Sequence, residues 1–326
     1  MPTKGTDDAR WMDAAARLAL RGRPVSAPNP AVGCILVKDD RVIARGWTQE
    51  GGRPHAEANA LSKLAKGTAE GTTAYVTLEP CAHQSERGPA CAELLAHARP
   101  ARVVIGMLDP DPRTAGNGVA LLEKAGVEVH VLESEAARQS LAGYLMRAEQ
   151  GRPHVTLKIA MSLDGCIALA DGTSQWITGE AARAHVHSRR AMADAILVGG
   201  GTWRADKPRL DVRLPGLEER SPRKVLLTRG VAPDGVKVIN APAQIAQLES
   251  AQYLYVEGGA KITASFLAAD LVDRLEIYRA PIIIGDGLRA IGALGLDDLA
   301  SAHGRWTIAE SRQLGSDTFT AYQRTR

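Results

Sequence analysis

Hydrophobic periodicity divides this chain into two successive runs of elements. Apolar residues recur at helical spacing through Trp11, Ala15 and Leu18; Asp7 or Asp8 is placed to cap that helix and Gly22 to stop it. Residues 31–37 and 41–47 are apolar-rich and flank Lys38-Asp39-Asp40, the pattern of a β-hairpin. Helical spacing returns at 55–65 (Ala56, Ala60, Leu61, Leu64) and fades near Gly67. Residues 73–78 read as a buried strand and 80–90 as a polar loop containing Pro and Gly. Helix 91–98, strand 101–108, loop 109–118, helix 119–126 and strand 127–132 follow. Strands alternating with helices in this way predict a three-layer α/β domain over residues 1–149.

The segment Glu149-Gln150-Gly151-Arg152-Pro153 reads as a linker, because Gly151 and Pro153 break regular structure. The pattern then restarts. Residues 154–169 read as a strand with a turn at Asp164-Gly165, 180–193 as a helix, and 194–202 as a strand running into a Gly-rich loop. Further strands are expected at 222–230, 251–259 and 274–284, with a helix at 262–272. This order predicts a second α/β domain, residues 150–326, around a mostly parallel sheet.

Composition narrows the class of protein. Hydrophobic residues make up 45% and charged residues 24% of 326, enough apolar content for two cores, while 4% aromatics leaves those cores to Val, Ile, Leu and Ala. No apolar run approaches the roughly 18 residues of a membrane span, and the first 22 residues lack the apolar centre of a secretory signal. A cytoplasmic protein without membrane association is expected. A net charge of +3 with no Lys/Arg cluster gives no footprint for nucleic acid and leaves room for a small anionic substrate. Disulfides are not expected in such a chain. Cys34 and Cys166 lie in apolar strands and read as core, whereas Cys81 and Cys91 flank a polar loop.

Those two cysteines join a pattern with chemistry in it. His55-Ala56-Glu57 is followed by Glu79-Pro80-Cys81 and then Cys91. A zinc ion that performs chemistry takes three protein ligands and keeps a fourth position for water; His55, Cys81 and Cys91 supply that count. Glu57, two residues from His55, is placed to move protons rather than to ligate. Residues two apart do not share a helical face, so the pair requires an open first turn. A His-x-Glu tripeptide alone is common, and a lone Cys is usually a small core residue; the ordered set fits the zinc-deaminase signature H-x-E…P-C-x-x-C except for its longer final spacing. His83 lies in that longer loop as a competing ligand, a substrate contact or a solvated side chain.

Longer strings carry a family resemblance. Residues 28–34 (Pro28-Asn29-Pro30-Ala31-Val32-Gly33-Cys34), His55-Ala56-Glu57 and Tyr75-Val76-Thr77-Leu78-Glu79-Pro80-Cys81 resemble the bifunctional deaminase/reductases of riboflavin biosynthesis. So do residues 158–165 (from Lys158 to Gly165), 174–178 (from Ser174 to Thr178), 201–206 (from Gly201 to Asp206) and Val256-Glu257-Gly258-Gly259. The resemblance implies a cytidine-deaminase-like first domain and a dihydrofolate-reductase-like second one. It implies deamination of 2,5-diamino-6-(5-phosphoribosylamino)pyrimidin-4-one, then NADPH-dependent reduction of the ribosyl group to ribityl. One zinc per chain would sit on His55, Cys81 and Cys91, with Glu57 as proton shuttle and Asn29 on the base. Cofactor contacts would fall on Ala160, Trp176, Thr202, Asp206 and Gly259 through Ala260, Lys261, Ile262, Thr263, Ala264 and Ser265. Substrate contacts would fall on Ser174, Arg190, Leu210, Arg213 and Glu257. A homodimer joined through the second domain is also implied.

The chain departs from the family pattern in three places. The loop from His83 to Ala90 replaces a Gly/Pro-rich segment ending T-P-P-C; Lys207 follows Asp206 where the family has an acidic residue; and the stretch from Arg213 to Val225 is compressed. Without the resemblance, the glycines at 199–201 and 258–259 read only as strand ends where backbone could approach a ligand, and neither string is a G-x-G-x-x-G fingerprint. Three rival functions follow: a nucleic-acid base deaminase with an appended binding domain, a non-catalytic zinc-stabilised module, and an enzyme active only in its first half.

Overall fold

In the computed structural model, which describes residues 4–83, 88–230 and 234–326, the chain forms two units, Met1–Gly151 and Arg152–Arg326, each with its own hydrophobic clusters.

The first unit is built on a five-stranded sheet. Helix α1 (Lys4–Ala19) starts ahead of both candidate caps, so neither Asp7 nor Asp8 caps it as expected. Asp8 is instead buried and accepts hydrogen bonds from the Tyr75 hydroxyl at 2.9 Å and from Arg102 at 2.9 and 2.8 Å, pinning the helix to the sheet. Strands β1 (Gly33–Lys38) and β2 (Arg41–Trp47) make the expected hairpin; Asp39 and Asp40 both adopt positive φ, as a two-residue turn of type I′ requires. Helix α2 (Ala56–Leu61) ends well short of Gly67, because Lys63 and Leu64 bond three residues back, to Ala60 and Leu61, and the last turn tightens. Then come β3 (Thr73–Val76), α3 (Cys91–Ala98), β4 (Arg102–Ile105), α4 (Asn117–Lys124) and β5 (Glu128–Val131). Two further helices, α5 (Glu135–Ser140) and α6 (Ala142–Gln150), close the unit, and Gly151 caps α6 at φ 67°.

The strand order is β2-β1-β3-β4-β5, antiparallel through β3 and parallel beyond it. Alternate residues serve opposite faces. Leu36, Val76, Val103 and Ile105 pack with Ala60, Leu95, Leu122 and Leu145 of α2, α3, α4 and α6. Ile35, Val37, Tyr75 and Val104 pack with Met12, Ala15 and Leu18 of α1 and Ala137 of α5. The unit thus has the three layers expected.

The second unit contains β6 (His154–Met161), β7 (Cys166–Leu169), α7 (Glu180–Arg190), β8 (Ala195–Gly199), α8 (Gly200–Asp206), β9 (Arg223–Leu227) and β10 (Lys237–Ile239). It continues with β11 (Tyr253–Glu257), α9 (Ala260–Ala268), β12 (Arg274–Arg279), β13 (Gly287–Arg289), β14 (Trp306–Leu314) and β15 (Asp317–Arg324). Eight strands pair in the order β10-β9-β8-β11-β6-β12-β15-β14, parallel as far as β12 and antiparallel at β15 and β14, so the sheet is mostly parallel as predicted. Leu157, Leu197, Val256 and Phe266 of α9 form one core layer, and Ile196, Val198, Tyr255 and Tyr278 form another with Ala182 and Val186 of α7.

Two expectations for this unit are corrected. The two arms around Asp164-Gly165 belong to different sheets, because β7 pairs with β13; apolarity marks a strand but not its partner. The glycines at 199–201 open helix α8 rather than a loop. Strands β10, β13, β14 and β15 were not foreseen: β10 and β13 are three residues long, and β14 is largely exposed, so no apolar run marks it. Among the described residues no helix is long and apolar enough to cross a membrane.

Candidate active sites

The first site grows from close backbone contacts. Gly46 of β2 lies against the start of α2; a Cβ there would fall 2.2 Å from the Ala56 carbonyl oxygen. This seats His55 as the N-cap of α2 with extended backbone (φ −66°, ψ 166°), while Glu57 lies inside the first turn. The open first turn that the His/Glu pair requires is present. Cys81 follows β3 through Thr77-Leu78-Glu79-Pro80, and Cys91 is the first residue of α3.

The ligand atoms of His55, Cys81 and Cys91 all lie within 4.8 Å of one another, and among the described residues they form the sole metal-ligating group found. His55 Nδ1 is 3.6 Å from Cys81 Sγ and 3.4 Å from Cys91 Sγ. A tetrahedral ion with bonds of about 2.3 Å to sulfur and about 2.0 Å to nitrogen holds such atoms roughly 3.5 Å apart, so the donor set fits zinc in both type and spacing. His83 is not part of the triad, and its Nδ1 is buried without a partner among the described residues. Asn29 Nδ2 lies 3.1 Å from the Gly52 carbonyl and 3.2 Å from His55 Nε2, at the ring edge away from the thiols. A cavity of about 310 Å³ borders the triad, lined by Arg53, His55, Gly88, Cys91 and Leu94 among others. Residues 84–87 of the divergent loop lie outside the described residues.

The electrostatics are those of a poised site. Burial pushes the Glu57 carboxyl up, against the opposing pull of His55. The Cys91 S–H, and then His55, hold Cys81 down to about 4 against its burial, while Cys81 and burial push Cys91 up. One thiolate with a proton-sharing neighbour is ready for a divalent cation, which takes both sulfurs deprotonated. Cys34 and Cys166 are fully buried, as the core reading expected.

In the second unit, several predicted residues converge at the carboxyl ends of parallel strands, where open α/β sheets bind ligands. Arg190 grips Glu257 with two bonds, Nε–Oε1 at 2.6 Å and Nη2–Oε2 at 3.1 Å, and donates to the Asp211 carbonyl at 3.0 Å. Lys158 Nζ stands 3.5 Å from Glu257 Oε2. Arg213 donates its N–H to His187 at 3.2 Å and leaves its guanidinium half exposed. Leu210 is buried with φ 55°, so its side chain faces the core. Gly259 caps α9, and Ala260, Lys261, Ile262, Thr263, Ala264 and Ser265 make up its first turns. Ile262 packs on Gly199, which brings the start of α8, with Thr202, beside that of α9. Thr263 is wholly buried; Asp206 ends α8, and Lys207 caps it in the left-handed region. Ala160 lies on β6, whereas Ser174 and Trp176 lie on the connection from β7 to α7, Trp176 68% exposed beneath the Arg183 guanidinium.

Two residues of these sites escaped the sequence reading. Lys158 opens one of the strings quoted above, but only the parallel register, which sets it opposite Glu257, reveals its role. Glu79 directly precedes Pro80-Cys81, and its partners lie 30 to 40 residues away.

Comparison with known proteins accords with both units. The sequence profile described as the cytidine and deoxycytidylate deaminase zinc-binding region matches residues 5–107, and that described as the RibD C-terminal domain matches residues 153–320. The riboflavin biosynthesis protein RibD of Escherichia coli is 36% identical over 95% of this chain and 97% of its own. That of Mycobacterium tuberculosis is 36% identical over 96% of both chains. Among solved structures, Acinetobacter baumannii RibD superposes with a TM-score of 0.85 at 34% identity, covering 99% of this chain and 100% of its own. The diaminohydroxyphosphoribosylaminopyrimidine deaminase/5-amino-6-(5-phosphoribosylamino)uracil reductase of Thermotoga maritima gives 0.86 at 30% identity, with the same coverage.

Proposed function

Because the chain belongs to the RibD family of bifunctional riboflavin-biosynthesis enzymes, we propose that it works through two separate sites, a deaminase in residues 1–149 and a reductase in residues 150–326. The protein is both a hydrolase and an oxidoreductase, with a zinc-binding deaminase domain and a reductase domain. A nucleic-acid base deaminase with an appended binding domain is not favoured.

In the first site, the substrate is 2,5-diamino-6-(5-phosphoribosylamino)pyrimidin-4-one. His55, Cys81 and Cys91 hold zinc, which when bound supplies a water whose pKa falls toward about 7. Glu57 would take a proton from the water that adds to the amine-bearing carbon and give it to the departing ammonia. Its buried, raised carboxyl suits a group that must both accept and give back a proton. Asn29, beside His55, orients the pyrimidine. The observation that carries this reading is the triad itself, spaced for zinc, with Glu57 in the adjoining turn.

In the second site, NADPH when bound would supply hydride for C1′ of the opened ribose. Ala160, Trp176, Thr202, Asp206 and residues 259–265 receive the cofactor; Ser174, Arg190, Leu210, Arg213 and Glu257 receive the substrate. Glu257 fixes Arg190, while Arg213 offers its exposed guanidinium to the phosphate. The enzyme acts in the cytoplasm as a homodimer joined through the second unit, whose Ile283, Leu299 and Ile308 expose apolar surface. Incubating the protein with the diaminopyrimidine substrate and NADPH, and following ammonia release and NADPH oxidation separately, tests each half. Ammonia without NADPH consumption refutes the second site, and no ammonia refutes the first.

A further inference from the structure

The metal ligand Cys81 is held from two directions. On one side the start of α3 grips it: Ala92 N–H donates to its carbonyl at 3.1 Å, and Cys91 N–H lies 3.4 Å from its sulfur. On the other side stands Glu79, two residues before it and 3% exposed. Its carboxylate accepts four backbone N–H groups: Gly118 at 2.9 Å and Val119 at 3.3 Å on Oε1, Gly116 at 3.0 Å and Asp109 at 3.3 Å on Oε2. Its own N–H donates to the Met107 carbonyl at 3.0 Å. Gly118 completes the clamp, since a Cβ there would fall 2.1 Å from the Pro80 carbonyl oxygen. The Pro80-Cys81 segment is thereby wedged against the first turn of α4.

We propose that Glu79 is a positioning residue for deamination, fixing the Cys81 sulfur at the metal through its clamp on the 109–119 segment. The proposal rests on Cys81 being a zinc ligand. The chemistry requires a carboxylate, because a charged carboxylate accepts at both oxygens, whereas an amide of the same shape turns an NH₂ group toward two of the four donors. A neutral cap for α4 would serve with fewer bonds, and groups that orient metal ligands matter nearly as much as the ligands.

The test uses the full chain with Glu79→Gln, and with Gly118→Ala as an independent variant that keeps the carboxylate but displaces Pro80. Zinc affinity is read by competition with a chromogenic chelator, thiolate geometry by the absorption of the cobalt-substituted protein, and catalysis by kcat and KM for ammonia release. NADPH oxidation on the deaminated substrate serves as the folding control. For folded Glu79→Gln, zinc affinity and kcat should each fall about 10–100-fold, with KM little changed, the cobalt–thiolate band altered and the control reaction intact. A wild-type cobalt spectrum and wild-type kcat in folded Glu79→Gln would make Glu79 a helix cap and overturn the proposal. If Glu79→Gln does not fold, Gly118→Ala decides by the same spectrum and kcat. A wild-type chain that neither binds zinc nor releases ammonia would instead sink the reading of the site, and the proposal with it.

Discussion

Replacing Glu257 by Gln should loosen the second unit from the carboxyl end of β11. The carboxylate opposes its own burial, yet Lys158 and Arg190 more than compensate and hold its pKa at about 2 against an ordinary 4.5. At 1.36 kcal/mol per pH unit, the fold prefers the charged group by about 3 kcal/mol. That agrees with the roughly 3–5 kcal/mol lost when one partner of a buried ion pair is removed, since the amide leaves both cations without their counter-charge. Native-state hydrogen exchange on peptides covering residues 253–257 and 186–191 should therefore show opening easier by about 3 kcal/mol. The first unit should exchange as in the wild type. Because the carboxyl is held low, its contribution is whole above about pH 4.5 and is lost as pH falls toward 2, so the two proteins should converge in acid. A difference under about 0.5 kcal/mol at pH 7 would place Glu257 in the range of ordinary surface substitutions and refute the reasoning.

Glu57→Gln should slow ammonia release by about 10²–10⁴-fold while zinc content stays near that of the wild type; loss of zinc, measured by metal analysis, would make Glu57 a ligand. Asp8→Ala should destabilise the first unit by about 3 kcal/mol, the low end for a broken buried pair, since Glu128 remains 3.3 Å from Arg102; urea unfolding followed by exchange in α1 peptides measures it. Stripping the metal with a chelator should abolish ammonia release and lower the first unit's melting temperature, yet leave NADPH oxidation on the deaminated substrate intact. A parallel fall in the second reaction would show the two units to be energetically coupled.

Much of this was legible in the sequence because it is written locally. His55, Glu57, Cys81 and Cys91 stand near helix starts and a strand end, which periodicity locates, and the hairpin turn at Asp39-Asp40 is two residues long. What escaped depends on distant pairings. Asp8 has the residue type and place of an N-cap, and only the strand order that sets Arg102 beneath it explains its burial. Glu79 and Lys158 are polar residues in apolar strings, and their meaning comes from partners 30 to 40 and about a hundred residues away. Strand β14 escaped because an exposed edge strand carries no apolar run, and β15, which lies between β12 and β14, escaped because its buried Phe319 and Ala321 alternate with Thr318 and Thr320 and form no continuous apolar run.

The two units draw on hydrophobic clusters that share no residue, and they meet in sequence at a single glycine, Gly151. A substitution that empties one core removes no side chain from the other, so heritable damage to one reaction need not spread to the other. The peptide link contributes something different. Each round of translation delivers one copy of each catalytic centre, so the dosage of two consecutive steps is fixed at one to one, whatever the level of expression.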